Sequence, residues 1–217
     1  PNILLITADQ MRGDCIAALG HPDISTPHLD TMVNHGVAFE NAYSATPTCI
    51  PARAALFTGL SQERHRRVGY QDGVAWDYDV TLPGSFAAAG YHTHCAGKMH
   101  VHPPRALLGF HSVDLHDSFL PYRNTATPAA GWWNHIDDYT HWLRETLGHA
   151  ADIGDTGLGC NSWAARPWPL PESTHPTNWT AERSLDFLRR RDPTKPFFLW
   201  TSFVAPHPPL FPPEPYF

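Results

Sequence analysis

The sequence predicts an α/β fold, a mostly parallel central sheet flanked by helices. Three observations carry this. Residues 2–8, 91–97 and 196–204 read as strands, the first and last as continuous apolar runs of the kind found in buried parallel sheets. Stretches with helical spacing and capping residues lie between them, so strand and helix alternate. Each strand run is followed by polar side chains: Asp9 and Gln10, Lys98 and His100, and His207. In open α/β sheets the carboxyl ends of the strands are where ligands gather.

The elements follow in order. Asn2 to Ala8 is expected as a buried parallel strand, and Asp9 at its end is either a hard oxygen donor for a divalent cation or a solvated loop carboxylate. Thr26 can cap a helix with Pro27 in its first turn and Gly36 as its stop; Leu29, Met32 and Val33 form a stripe suited to core packing. Val37, Ala38, Phe39 and Tyr43 lead on as a short strand. Pro47 and Pro51 bracket Cys49 in Cys-x-Pro-x-Arg, which favours extended backbone before each proline and a helix starting near Pro51. Ala52 to Phe57 carry that helix and Gly59 ends it. Cys49 then sits at a loop-to-helix junction with Arg53 one turn later on a similar face. Its alternatives are a reactive thiol beside a positive helix end and a guanidinium, or a buried structural cysteine.

Residues 61–81 read as loop, where Arg64, Arg66 and Arg67 either form a solvated basic turn or meet an anion. Leu82 to Gly90 reads as a helix with a glycine stop. From about 102 to 176 periodicity weakens, which suggests an insertion over the sheet and a candidate region for substrate specificity. Within it Asp137 to Leu147 is expected as a helix burying Tyr139, Trp142, Leu143 and Leu147. Trp132, Trp133, Trp163 and Trp168 suit either stacking on a ring or cation, or the packing of the insertion itself. Thr180 to Arg191 is expected as a surface helix capped by Thr180, with Leu185 and Leu188 on one face.

Composition bounds the rest. The 217 residues, 42% hydrophobic, allow one large domain or part of a larger one. A formal charge of −6 argues against a nucleic-acid binder. Cys15, Cys49, Cys95 and Cys160 are too widely spaced for a zinc pattern and do not suggest a disulfide framework. No apolar run reaches the roughly 18 residues of a membrane span. No signal peptide is visible, which leaves cytoplasm and periplasm both open. Oligomeric state is not legible.

The stretch Ser44 to Gly59 resembles the signature of the type I sulfatases, members of the alkaline-phosphatase-like superfamily, and Gly97-Lys98-Met99-His100 resembles bacterial choline-sulfatase and arylsulfatase relatives. The resemblance implies that Cys49 is converted to formylglycine by a formylglycine-generating enzyme. It implies a divalent cation, Ca2+ or Mg2+, held by Asp9, Gln10 and residue 49. Gln10 stands where many members have a second aspartate; an amide oxygen still suits calcium. Arg53, Lys98, His100 and His207 match the signature arginine, the Lys-x-His pair and the later active-site histidine. The implied reaction is hydrolysis of a small sulfate monoester: the aldehyde hydrate attacks sulfur, His207 protonates the leaving alcohol or binds sulfate oxygens, and His100 takes the proton that releases sulfate. The family completes its metal site with a later Asp-Asn or Asp-His pair and adds a further lysine, and nothing after His207 supplies these. The expected organisation is therefore the N-terminal portion of one catalytic domain. Two alternatives stay open: a phosphonate or phosphate ester hydrolase of the same superfamily, or an inactive fragment with a binding or structural role.

Overall fold

The computed structural model describes residues 1–119 and 137–217. Among the described residues four parallel strands form one sheet in the order β1 (Ile3–Ala8), β4 (Phe197–Phe203), β2 (His92–Gly97), β3 (Ser112–Leu115). The helices that bear on the site are α1 (Pro27–His35), α2 (Cys49–Thr58), α3 (Gln62–His65), α4 (Leu82–Ala88), α5 (Asp138–Leu147) and α6 (Pro176–Arg190). The α/β class and the parallel sheet are as expected. β4 is central because its run of bulky apolar residues is buried on both faces, as a strand paired on both sides requires.

The main core lies under α2. Phe57 meets Trp200, Trp76 and Phe110 edge-on at centroid distances of 5.1, 5.7 and 6.3 Å. Such contacts add to the area these rings bury. α2 is thereby pinned to the sheet, and its first residue is Cys49. Gly97 closes β2 at φ +103°, and a Cβ there would run into the Ser202 carbonyl. The missing side chain lets Lys98 N–H donate to that carbonyl at 2.8 Å, so β2 and β4 end side by side.

Several expectations are corrected. β1 is parallel but not buried, because it is the outer strand; Leu4 and Ile6 are half exposed. The α1 stripe buries no residue fully, and Met32 faces solvent. Val37 to Phe39 form no strand, and Val37, Phe39 and Tyr43 are exposed. Residues 61–81 include the short helix α3, and Arg67 there is buried rather than solvated. Its Nε donates to Tyr78 Oη at 2.7 Å, and its guanidinium lies 4.7 Å from the Trp76 ring centroid. β3 lies inside the stretch read as an insertion, yet it pairs with β2 as part of the sheet.

α5 starts as expected, capped by Asp137, and buries Tyr139 and Leu143 but leaves Leu147 exposed. α6 begins a turn earlier than expected, with Pro176 in its first turn and His175, not Thr180, as its cap. Its buried face is Thr180, Ser184 and Phe187 rather than Leu185. Small polar residues fit there because Thr180 abuts Gly97, and Ser184 Oγ lies 2.7 Å from Thr201 Oγ1.

Candidate active site

Five of the residues singled out from the sequence meet at the carboxyl ends of β1, β2 and β4. Asp9 follows β1, and its N–H donates to Phe203 O at 3.0 Å, which ties it to the end of β4. Its carboxylate lies 2.6 Å from Lys98 Nζ and 3.3 Å from an Arg53 amino nitrogen. Cys49 Sγ is 4.0 Å from both Asp9 oxygens. His100 follows β2 with φ +56°, a strained backbone held because Met99 N–H and His100 N–H both donate to Asp117 Oδ1 at 2.9 Å. His207 follows β4; its Nδ1 donates to Pro208 O at 2.7 Å, leaving Nε2 for the pocket. These side chains and Gln10 line a cavity of about 530 Å³, joined by Tyr70, Ser118 and Asn161.

Arg53 differs from the rest. It is 7% exposed and lies beneath the pocket, its guanidinium donating to Lys98 O at 2.7 Å and sitting over the Trp200 ring at 5.5 Å. It braces Asp9 and the end of β2. The reason is its place one turn into α2, where the helix turns its side chain down to the sheet.

Burial would raise the Asp9 pKa, but Lys98 and Arg53 outweigh it and hold the carboxyl below its ordinary value. Burial likewise pushes the Cys49 thiol up, while hydrogen bonds to His100 and His207 and the charge of Lys98 outweigh it and bring it to about 6. Burial disfavours a charged His100, yet Asp72 and Cys49 win and raise it above the usual imidazole value. Asp72 Oδ1 lies 3.2 Å from His100 Nε2, and Tyr70 Oη 3.4 Å. A carboxylate on Nε2 fixes that proton and leaves Nδ1, which has no hydrogen-bond partner among the described residues, as the free base.

Tyr70 and Asp72 were missed because they sit in a stretch that reads only as loop; their link to His100 is purely tertiary. The tryptophans set aside for substrate divide: Trp163 is 96% exposed, Trp168 is packed on Phe211, and Trp132 and Trp133 lie outside the described residues.

Residues 1–217 match the Sulfatase family model throughout. The chain belongs to the sulfatase family. It is 56% identical over its whole length to an arylsulfatase of Clostridium perfringens and 31% identical to the human N-acetylgalactosamine-6-sulfatase. The crystal structure of a phosphonate monoester hydrolase from Agrobacterium radiobacter superposes on the whole chain with a TM-score of 0.76 at 29% identity, covering 43% of that chain. The sulfatase chain spans 45% and 41% of the lengths of the two curated relatives.

Sulfatases use a divalent metal and a formylglycine made from cysteine. The residues at hand fit part of such a metal site. Ligand atoms of Asp9, Cys49 and His207 lie within 4.8 Å of one another, and Gln10 lines the same cavity. A carboxylate and an amide oxygen suit a hard cation, and a thiolate does not, so the set fits better with oxygen at residue 49. A hard cation of the calcium type takes six to eight oxygens, more than these residues offer.

Proposed function

We propose that the protein carrying this sulfatase-family chain hydrolyses a small sulfate monoester to an alcohol and inorganic sulfate. The observation that carries the reading is the meeting of Asp9, Cys49, Lys98, His100 and His207 on one cavity, with cations ranged around a single carboxylate. A divalent metal, Ca2+ or alternatively Mg2+, would be held by Asp9, Gln10 and residue 49, and would supply charge screening and activation of an oxygen nucleophile. Formylglycine made from Cys49 by a maturation enzyme supplies, as its hydrate, that oxygen nucleophile for sulfur.

The chain's own residues do the rest. Lys98 Nζ, already 2.6 Å from Asp9, balances charge at the sulfate oxygens. His207 Nε2 faces the cavity and delivers a proton to the departing alcohol. His100 Nδ1, with Nε2–H held by Asp72, takes the proton from residue 49 when sulfate leaves. Arg53 positions Asp9 and Lys98 from below.

Peptide mass spectrometry across residue 49 of the active protein should show sulfur replaced by oxygen, and Cys49→Ala should lower turnover by about 10⁴-fold or more. Full activity with an intact thiol ends this reading. The likeness to a phosphonate monoester hydrolase favours a second activity on the same cavity. Side-by-side kcat/KM on an aryl sulfate and on phenyl phosphonate decides between them; Lys98 with His100 points to the sulfate as the better substrate. The third alternative, a purely binding or structural role, predicts no turnover of either ester, and the same assays check it.

A further inference from the structure

Arg53 braces the site from below, and the side chains that hold Arg53 are themselves tied to one hydroxyl. A guanidinium is a rigid planar fork of donors. Its Nη1 donates to Lys98 O at 2.7 Å and, over a longer 3.4 Å, to Ser202 Oγ; its Nη2 donates to Asp9 Oδ2 at 3.3 Å. With both Nη1 hydrogens engaged, the plane is held against swinging about the Lys98 bond, and Nη2 stays aimed at Asp9. The Trp200 ring, with its centroid 5.5 Å from the guanidinium carbon, is a further restraint.

Ser202 and Trp200 both end on Thr7. Thr7 stands opposite Ser202 in the register of β1 on β4, and its Oγ1 donates to Ser202 Oγ at 3.1 Å. The same Oγ1 accepts from Trp200 Nε1 at 2.9 Å. Indole and guanidinium nitrogens only donate, so hydroxyl oxygens are the groups that can stand between them. Ser202 is 0% exposed and Trp200 2%, and hydrogen bonds so buried are costly to lose. Ser202 also accepts Lys98 N–H on its carbonyl at 2.8 Å, so the ends of β1, β2 and β4 are joined beneath the cavity. The residues before Thr7 on β1, Ile3 to Ile6, are all aliphatic, and Thr7 does not itself line the cavity.

We propose that Thr7 is a positioning residue for the reaction. Through Ser202 and Trp200 its hydroxyl sets the angle of Arg53, and through Arg53 the place of the Asp9 carboxylate beside Lys98 and Cys49. The inference rests on the sulfate-ester reading of the cavity. Satisfying the Trp200 N–H would need only an acceptor; the onward bond to Ser202 is what couples Thr7 to the guanidinium.

The test uses the whole protein and three variants. Thr7→Val keeps the volume and removes the hydroxyl, Thr7→Ser keeps the hydroxyl, and Ser202→Ala breaks the chain one bond further on. Crystal structures of Thr7→Val and Ser202→Ala should show the guanidinium turned about its bond to Lys98 O and its contact with Asp9 lost. On an aryl sulfate, Thr7→Val should lower kcat by about 10-fold with KM little changed, and Thr7→Ser should restore most of the loss. In an Arg53→Lys background, which lacks the fork, Thr7→Val should cost less than about 2-fold more. A residue that only packs would cost the same in both backgrounds. An Arg53 that keeps its Asp9 contact in both crystals overturns the proposal, as do full turnover by Thr7→Val and equal losses in the two backgrounds. If the guanidinium turns as expected while the wild-type protein cleaves no sulfate ester, the positioning stands and the reaction reading falls.

Discussion

His100 and His175 are both 6% exposed, yet their surroundings drive them in opposite directions. At His175, burial lowers the imidazole pKa to about 4, and no carboxylate opposes it; the ring is held neutral, accepting from Thr177 N–H and donating to Phe211 O. At His100, burial also acts first, but Asp72 and Cys49 reverse it and hold the ring above its ordinary value. Burial sets the default for a histidine, and a single placed acid overturns it. The first region caps a helix and needs a fixed neutral acceptor. The second lies in the pocket with Cys49, and under the proposed reaction it needs a proton that can come and go.

The largest break in this comparison is the removal of His100 itself. His100→Ala should lower kcat on a sulfate ester by about 10²–10⁴-fold, the usual worth of a placed acid–base group. Steady-state kinetics with an aryl sulfate checks it, and unchanged kcat would put the base elsewhere. The next is a stability effect at His175. Its folded pKa lies below the unfolded value of 6.5, so the unfolded chain binds the extra proton between the two. The stability from the neutral ring is therefore complete above pH 6.5 and lost as the pH falls toward about 4. Between pH 7.5 and 4.5 this amounts to about 2–3 kcal/mol. His175→Asn keeps a capping oxygen without the titration, so its urea-unfolding free energy should fall by that much less than wild type over the interval. Equal slopes would show that His175 is not the group that titrates.

How much of this was legible in the sequence follows from range. β1, β2, β4 and α2 were, because a strand's composition and a helix's caps are local signals. β3 was not: Ser112-Val113-Asp114-Leu115 is short and alternates, and only its pairing with β2 makes it a strand. The start of α6 was displaced because a histidine cap before Pro176 is a weaker signal than Thr180. Apolar residues at 37, 39 and 43 suggested burial, but a side chain is buried only if something covers it. In the site, the residues that follow strands were legible, since a parallel sheet gathers its carboxyl ends. The depth of Arg53 was not, and neither was the contact of Asp72 with a histidine 28 residues away, because both depend on how elements pack.

The smallest effect sharpens the comparison most. Asp72→Asn keeps the size of the side chain at His100 and removes its charge. An asparagine can turn its amide N–H toward Nε2, which forces the ring proton onto Nδ1, the nitrogen that the proposed reaction needs free as a base. It also removes the partner that holds the ring above its ordinary pKa, so burial regains control, as at His175. Two consequences separate this from a loosened fold. The acid limb of the kcat profile, set by deprotonation of His100, should move to lower pH. At the plateau kcat should still fall by about 10- to 100-fold, because a neutral ring with its proton on the wrong nitrogen is inactive at any pH. A structural defect would lower the plateau and leave the limb in place. A moved limb with a full plateau would mean that Asp72 tunes the charge of His100 without choosing its tautomer.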